Sequence, residues 1–382
     1  MKCNFYVMMC ASLAMVSCSG NKQAQQPDDT TGDLTLYVGS YSEPGDSALR
    51  VYTLDTATGA TKCLGVLPVA NASYFTQAPS GMIYCVSESD MGHSSVSALR
   101  PRGNGVEPEI VGSQPAGGSS PCYIAVSPDG RFVIAANYEG GNVSVYPVDK
   151  TGALDSMNEL IGFSGKGPIE GRQAQSHPHC VAFTPDGKYM LVDDLGTDRI
   201  HQFAVKHNSD SLTAAAPDNE IVIKPGSGPR HIVFNANGDM AYLINEISDE
   251  VTVLKYDGQN LDPVQYIPAD TVGAGGAGDI HLSPDGRHLY ASLRLKNDGI
   301  AVFDVDQSTG LLTHKAHVAT AGHPRNFTLT PDGRMMLVAC RDGNVVQIFT
   351  VDPESGALTN TDRIIEVTKP VCVKIIDPEA AK

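Results

Sequence analysis

Histidine, arginine and carboxylate side chains recur close together at intervals along this chain. One set comprises His177-Pro178-His179, Pro229-Arg230-His231, Asp279-Ile280-His281 and His323-Pro324-Arg325. A second comprises Glu88, Asn137, Asp193-Asp194, Asn245-Glu246, Arg294 and Arg341. Such groups suit hydrolysis. A carboxylate or imidazole takes a proton from attacking water, and guanidinium groups hold a developing oxyanion or an anionic substituent. Glu246 and His179 are the candidate bases, Arg230 and Arg294 the candidate anion holders. Asn137, Asp194, His281 and Arg325 are candidates for binding the rest of a substrate.

Structural roles stand beside these. His179 can cap a strand edge, and His177-x-His179 has the form of a metal pair but no third ligand at fitting spacing. Arg230 and Glu246 can form an ion pair within one repeat. Arg294 and Arg325 can be solvated rim charges, and Asp194 can hold the turn that follows it. Some chemistries are excluded by pattern. The chain has no Gly-x-Ser-x-Gly elbow. Its one Gly-x-Gly-x-x-Gly match, Gly273 to Gly278, precedes a strand instead of leading from a strand into a helix, so it is not a dinucleotide fingerprint.

What must position these residues is a repeat. From Pro121 a short alternating run reaches a Pro-Asp-Gly turn at Pro128–Gly130; a second run ends at Asn137, and a third follows a Gly-Gly turn. The same pattern starts again at His179, Arg230, Asp279 and Arg325, with a looser copy at Ser73. Runs rich in Val, Ile, Tyr and Phe between Gly, Pro and Asp are antiparallel strands joined by tight turns. A fixed period of three or four strands is the mark of a propeller. The run after the turn occurs seven times, beginning at Leu36–Tyr41, whereas the run before it precedes only six of them. The unmatched copy is Pro370–Ile376 at the far end. The fold expected is therefore an all-β, seven-bladed β-propeller whose C-terminal strand completes the first blade. Both sets of reactive side chains then fall at one mouth of the central channel.

Residues 1–17 read as an export leader: Lys2 is the only charge, followed by an apolar stretch too short to span a membrane. The segment ends in Met15-Val-Ser-Cys18 and resembles a bacterial lipoprotein signal, with Met15 where Leu is usual; Cys18 is then the lipidated residue. Residues 18–33 form a polar tether, and residues 34–382 hold the propeller. The net charge of −16 argues against nucleic acid or an anionic membrane surface as partner. Absence of Trp excludes the tryptophan-aspartate class of propeller. Cys63, Cys85, Cys122, Cys180, Cys340 and Cys372 never form a Cys-x-x-Cys pair and read as small core residues.

The repeat, together with Tyr37–Tyr41, Asn137-Tyr138, Ser176–His179, Asp194-Leu-Gly-Thr-Asp-Arg199, Gly226–His231, Asn245-Glu246 and Pro324–Phe327, resembles the seven-bladed lactonase family. That family includes the propeller type of 6-phosphogluconolactonase and fungal carboxymuconate cyclases. The resemblance implies a lactone hydrolase without metal or other cofactor, acting on a small sugar lactone. It also implies an active centre of His179, Arg230, Glu246 and Arg294. Ser292-Leu-Arg-Leu295 departs from the Ser-Asn-Arg-Gly usual there. Because 6-phosphogluconolactone is made in the cytoplasm, an exported member would meet an unphosphorylated lactone. A muconate-type cyclase, or a non-catalytic propeller binding a glycan or protein, fits the same frame. On the enzymatic reading, Arg230→Ala and Glu246→Ala abolish turnover and leave folding nearly intact.

Overall fold

Strands that alternate apolar and polar residues between Gly, Pro and Asp turns leave no helical period anywhere, and the described residues contain no α-helix. The computed structural model describes residues 33–42, 46–103, 106–207, 209–377 and 380. The leader, Cys18 and the tether up to residue 32 lie outside them. Twenty-eight strands, β1 to β28 in chain order, form seven four-stranded antiparallel sheets. Six blades take four consecutive strands each, with inner strands β4 (Ala72–Gln77), β8 (Pro121–Val126), β12 (Pro178–Phe183), β16 (Pro229–Phe234), β20 (Ala277–Leu282) and β24 (Pro324–Leu329). The first blade is assembled from both ends of the chain. Its inner strand is β28 (Pro370–Ile376), paired antiparallel with β1 (Asp33–Ser40). The ring closes as the unmatched run requires, and β1 starts three residues earlier than the Leu36–Tyr41 run read from the sequence.

The core lies between blades. Leu36 and Val38 of β1 pack with Leu337, Ala339 and Val346 of the seventh blade and Val373 of β28, all buried. Buried tyrosines add polar locks from blade to blade, since a phenol taken out of water needs a partner. Tyr84 donates to the Gly152 carbonyl at 2.9 Å, Tyr242 to Gly310 at 3.0 Å and Tyr290 to Gly356 at 3.1 Å. The Pro-Asp-Gly turns on the far face are self-contained. In four of them a Ser or Thr hydroxyl donates to the turn aspartate, as Ser127 does to Asp129 at 2.6 Å and Thr184 to Asp186 at 2.7 Å.

Candidate active site

Every inner strand carries a register shift at its mouth end. In β12, Pro178 pairs with Asp194 and Cys180 with Asp193, which leaves His179 unpaired; in β16 the skipped residue is Arg230. The equivalent residues are Ser73, Cys122 and Arg325, with Gly278-Asp279 in β20 and Val371 in β28. A bulge frees one residue from the ladder and re-aims its side chain. Proline opens five of these strands, at a position that can dispense with its N–H. A second ring comes from the residue just after each second strand. Tyr41, Glu88, Tyr138, Leu195, Glu246 and Arg341 each donate a backbone N–H to the loop leading into the inner strand, Glu246 to Gly228 at 2.8 Å. The sixth blade differs: there the Arg294 side chain makes the tie, Nε donating to the Gly276 carbonyl at 2.6 Å.

Where the rings meet, Glu246 is surrounded by arginines. Its Oε1 accepts from Arg172 Nη2 at 2.5 Å, and its Oε2 from Arg230 Nε at 2.7 Å and Arg294 Nη2 at 3.0 Å. His179 Nε2 lies 3.9 Å from Oε2. The Glu246 side chain is 12% exposed, those of Arg230 and Arg294 2% and 5%. Burial opposes ionisation of Glu246, but Arg294, Arg230, His179 and Arg172 outweigh it and hold the carboxyl well below its usual range. Burial, then the nearby Arg230 and His231, push His179 well below 6.5, so its imidazole is neutral. Burial brings even Arg294 down to about 10, against the pull of Glu246. Across the mouth, Arg325 Nη2 lies 3.6 Å from Glu88, which accepts from Tyr41 at 3.0 Å. Cys122 lies beneath His179, with Sγ 3.8 Å from Nδ1.

The arginines are fixed from below. Arg230 Nη1 donates to the Gly278 carbonyl at 2.8 Å and lies 3.1 and 3.4 Å from the two ring nitrogens of His231, resting against the imidazole instead of on one lone pair. Asp279 holds that ring at Nδ1 (2.7 Å), binds His281 Nε2 at 2.8 Å and accepts from Asn326. Asn326 in turn accepts from the backbone N–H of Val373 at 2.7 Å. A hydrogen-bonded belt thus runs through the inner strands of four blades. The glycine loops ahead of β16 and β20 are clamped by aspartates. Asp198 accepts from the N–H groups of Gly226 and Gly228, and Asp249 from those of Gly275, Gly276 and Ala277. The donors of the Gly273–Gly278 run are therefore partly spent on the fold.

Of the residues singled out in the sequence, His179, Arg230, Glu246 and Arg294 come together, and Arg325 faces them across the mouth. His281 sits lower, on Asp279, with a 32%-exposed side chain. Asn137 and Asp194 are not brought to the Glu246 cluster. Asn137 donates to Ala116 O, Asn142 and Ser144 inside its blade. Asp194 accepts from Ser176, the His177 and Gly196 N–H groups and Thr197. Both are fully buried. Sequence reasoning missed Arg172, which lies in the 163–177 loop, where no strand period marks it. Glu246→Ala would leave three guanidinium groups without their shared counter-charge. Breaking a buried pair costs about 3–5 kcal/mol, so the expectation of nearly intact folding for this variant gives way to a destabilised one.

Comparison with known proteins agrees with this architecture. A solved structure from Bacteroides fragilis superposes with a TM-score of 0.88 at 42% identity, covering 92% of this chain and all of the other. The periplasmic gluconolactonase of Pseudomonas aeruginosa gives 0.85 at 30% identity, over 91% and 99% of the two chains. The 6-phosphogluconolactonase of Formosa agariphila is 34% identical over 332 residues, 85% of this chain and 94% of that one. Residues 35–375 match the family described as "Lactonase, 7-bladed beta-propeller", and the chain belongs to it.

Proposed function

We propose that this protein hydrolyses an unphosphorylated sugar lactone to the open aldonic acid, outside the cytoplasm. The observation that carries the reading is the Glu246 cluster: one ionised carboxylate orienting Arg172, Arg230 and Arg294 beside a neutral His179. Glu246 is already saturated with guanidinium donors and held far below its usual range, so it is the anchor and His179 is the base. Water attacks the lactone carbonyl as its proton passes to His179. The oxyanion forms near Arg230 and Arg294, whose Nε groups are held by Glu246 and the Gly276 carbonyl. Collapse breaks the bond to the ring oxygen, which takes the proton back from His179.

Counting Arg172, Arg230, Arg294 and Arg325 against Glu246 and Glu88, the mouth keeps a net charge of about +2 in a chain of net −16. That excess suits an anionic transition state and a carboxylate product. Export is supported by the leader pattern of residues 1–17 and by the periplasmic relative; Cys18 is the proposed lipid attachment point. The test is hydrolysis by residues 34–382 of gluconolactone and 6-phosphogluconolactone, each set against the spontaneous rate and against His179→Gln and Arg230→Ala. Faster opening of gluconolactone is expected, with each variant down by about 10²–10³-fold. Preference for the phosphorylated lactone would overturn the substrate assignment. No acceleration of either would replace catalysis with ligand binding.

A further inference from the structure

Leu295 follows Arg294 with φ at 82°, the largest positive value among the described non-glycine residues; the other eight are Asn, Asp, Ser, His or Lys. The left-handed region disfavours a branched aliphatic residue. Burial does not compensate, because Leu295 is 55% exposed. Its side chain lies on Gly276, where an added Cβ would come within 2.7 Å of Leu295 Cγ and 2.8 Å of Cδ1. Gly276 is the residue whose carbonyl holds Arg294. The arrangement repeats at the neighbouring blade, where Ile247 Cγ1 would be 2.7 Å from a Cβ on Gly228, and Ile169 Cδ1 3.3 Å from one on Gly226. These two glycines lead into Arg230. Three aliphatic side chains therefore cap the loops that carry the arginine cluster, and one of them keeps a disfavoured backbone while exposed. Strain retained at a side chain that stays more than half exposed points to a functional position.

We infer that Leu295, with Ile247 and Ile169, forms an apolar lip selecting substrates whose part remote from the scissile carbonyl is uncharged, and that Leu295 is the specificity-determining residue. The C–H face of a neutral sugar ring, or an alkyl substituent, gains by packing there. A phosphate packed there would give up water against aliphatic surface. This rests on the lactonase reading for the turnover it modulates, but not for binding.

The experiment compares wild type, Leu295→Gly and Leu295→Asn on gluconolactone, an alkyl-substituted δ-lactone and 6-phosphogluconolactone. Binding of gluconate and 6-phosphogluconate is measured in parallel by calorimetry. Wild type is expected to favour the unphosphorylated member of each pair, and both variants to lose about tenfold of that preference through KM and Kd. Since Gly and Asn accept this backbone, both variants should melt at or above wild type. An unchanged preference, or retention of it by Leu295→Asn alone, removes the lip. Both variants melting below wild type would make Leu295 a packing residue. Preference seen in binding without any turnover would uphold the lip and dismiss the lactonase reading.

Discussion

At the scale of single residues, the site is a problem in keeping charge and neutrality apart. His179, His231 and His323 are buried neutral, the last two at about 3 through burial first and neighbouring arginines second. An unfolded histidine protonates below about 6.5. Between that value and the folded values the unfolded chain binds more protons, so stability falls as pH falls. Glu246 and Asp279, held well below the usual carboxylate range against burial by cationic and histidine neighbours, lose their contribution in the same direction in stronger acid. Asp193 acts oppositely: burial pushes it up to about 8, and its burden grows as pH rises from about 4 towards that value. Thermal melts across pH 4–9 should therefore peak between about 6.5 and 7, falling by several degrees towards pH 4 and less steeply towards pH 8. A maximum at pH 5 would mean the histidines are not buried neutral. The acid limb of kcat/KM should lie well below 6.5, because His179 remains a free base there.

At the scale of elements, bulges and clamps do the positioning, and they separate what could be read in the sequence from what could not. Strand periodicity located the second strands and Pro370–Ile376 to within a residue, except for β1, which starts three residues before Leu36. It could not separate Glu246 from Asn137 and Asp194, which sit at nominally the same end. Asn137, Asp194 and Asn245 each pair with the first residue of the inner strand, Pro121, Pro178 and Pro229. Glu246 is one residue further on, and in a strand one step reverses the face. The bulges, set by backbone register, have no signature of residue type beyond the preceding proline. Arg172 arrives from a loop and obeys no period at all. The clamps are testable. Asp249→Ala removes the acceptor of the Gly275 and Gly276 N–H groups and leaves Ala277 only its longer bond to the Glu246 carbonyl at 3.3 Å, at about 1–3 kcal/mol for each donor left buried. Gly276 O and Ala277 O, from the same loop, hold Arg294. The variant should therefore lose both melting temperature and kcat, whereas a clamp of stability alone would leave kcat unchanged.

At the scale of the whole molecule, closure governs the exposed edges. With β28 removed, β1 would present an unpaired edge and the apolar contact of Val373 would be lost. Ending the chain after Thr368 should abolish the single cooperative unfolding transition and produce aggregation on size exclusion. Adding a peptide of residues 370–377 in excess should partly restore the monomer. A truncated chain that melts sharply and stays monomeric would show that blade contacts suffice without closure.

The way β1 waits for β28 also fixes a moment in the life of the chain. The strand that completes the first blade is made after the other twenty-seven, and Val373 is the far anchor of the belt that reaches Arg230 through Asn326, Asp279 and His231. Nascent or prematurely ended chains can build middle blades but cannot finish the mouth. The geometry of the mouth therefore matures only once β28 has been made, and a chain cut short before it lacks the far end of that belt.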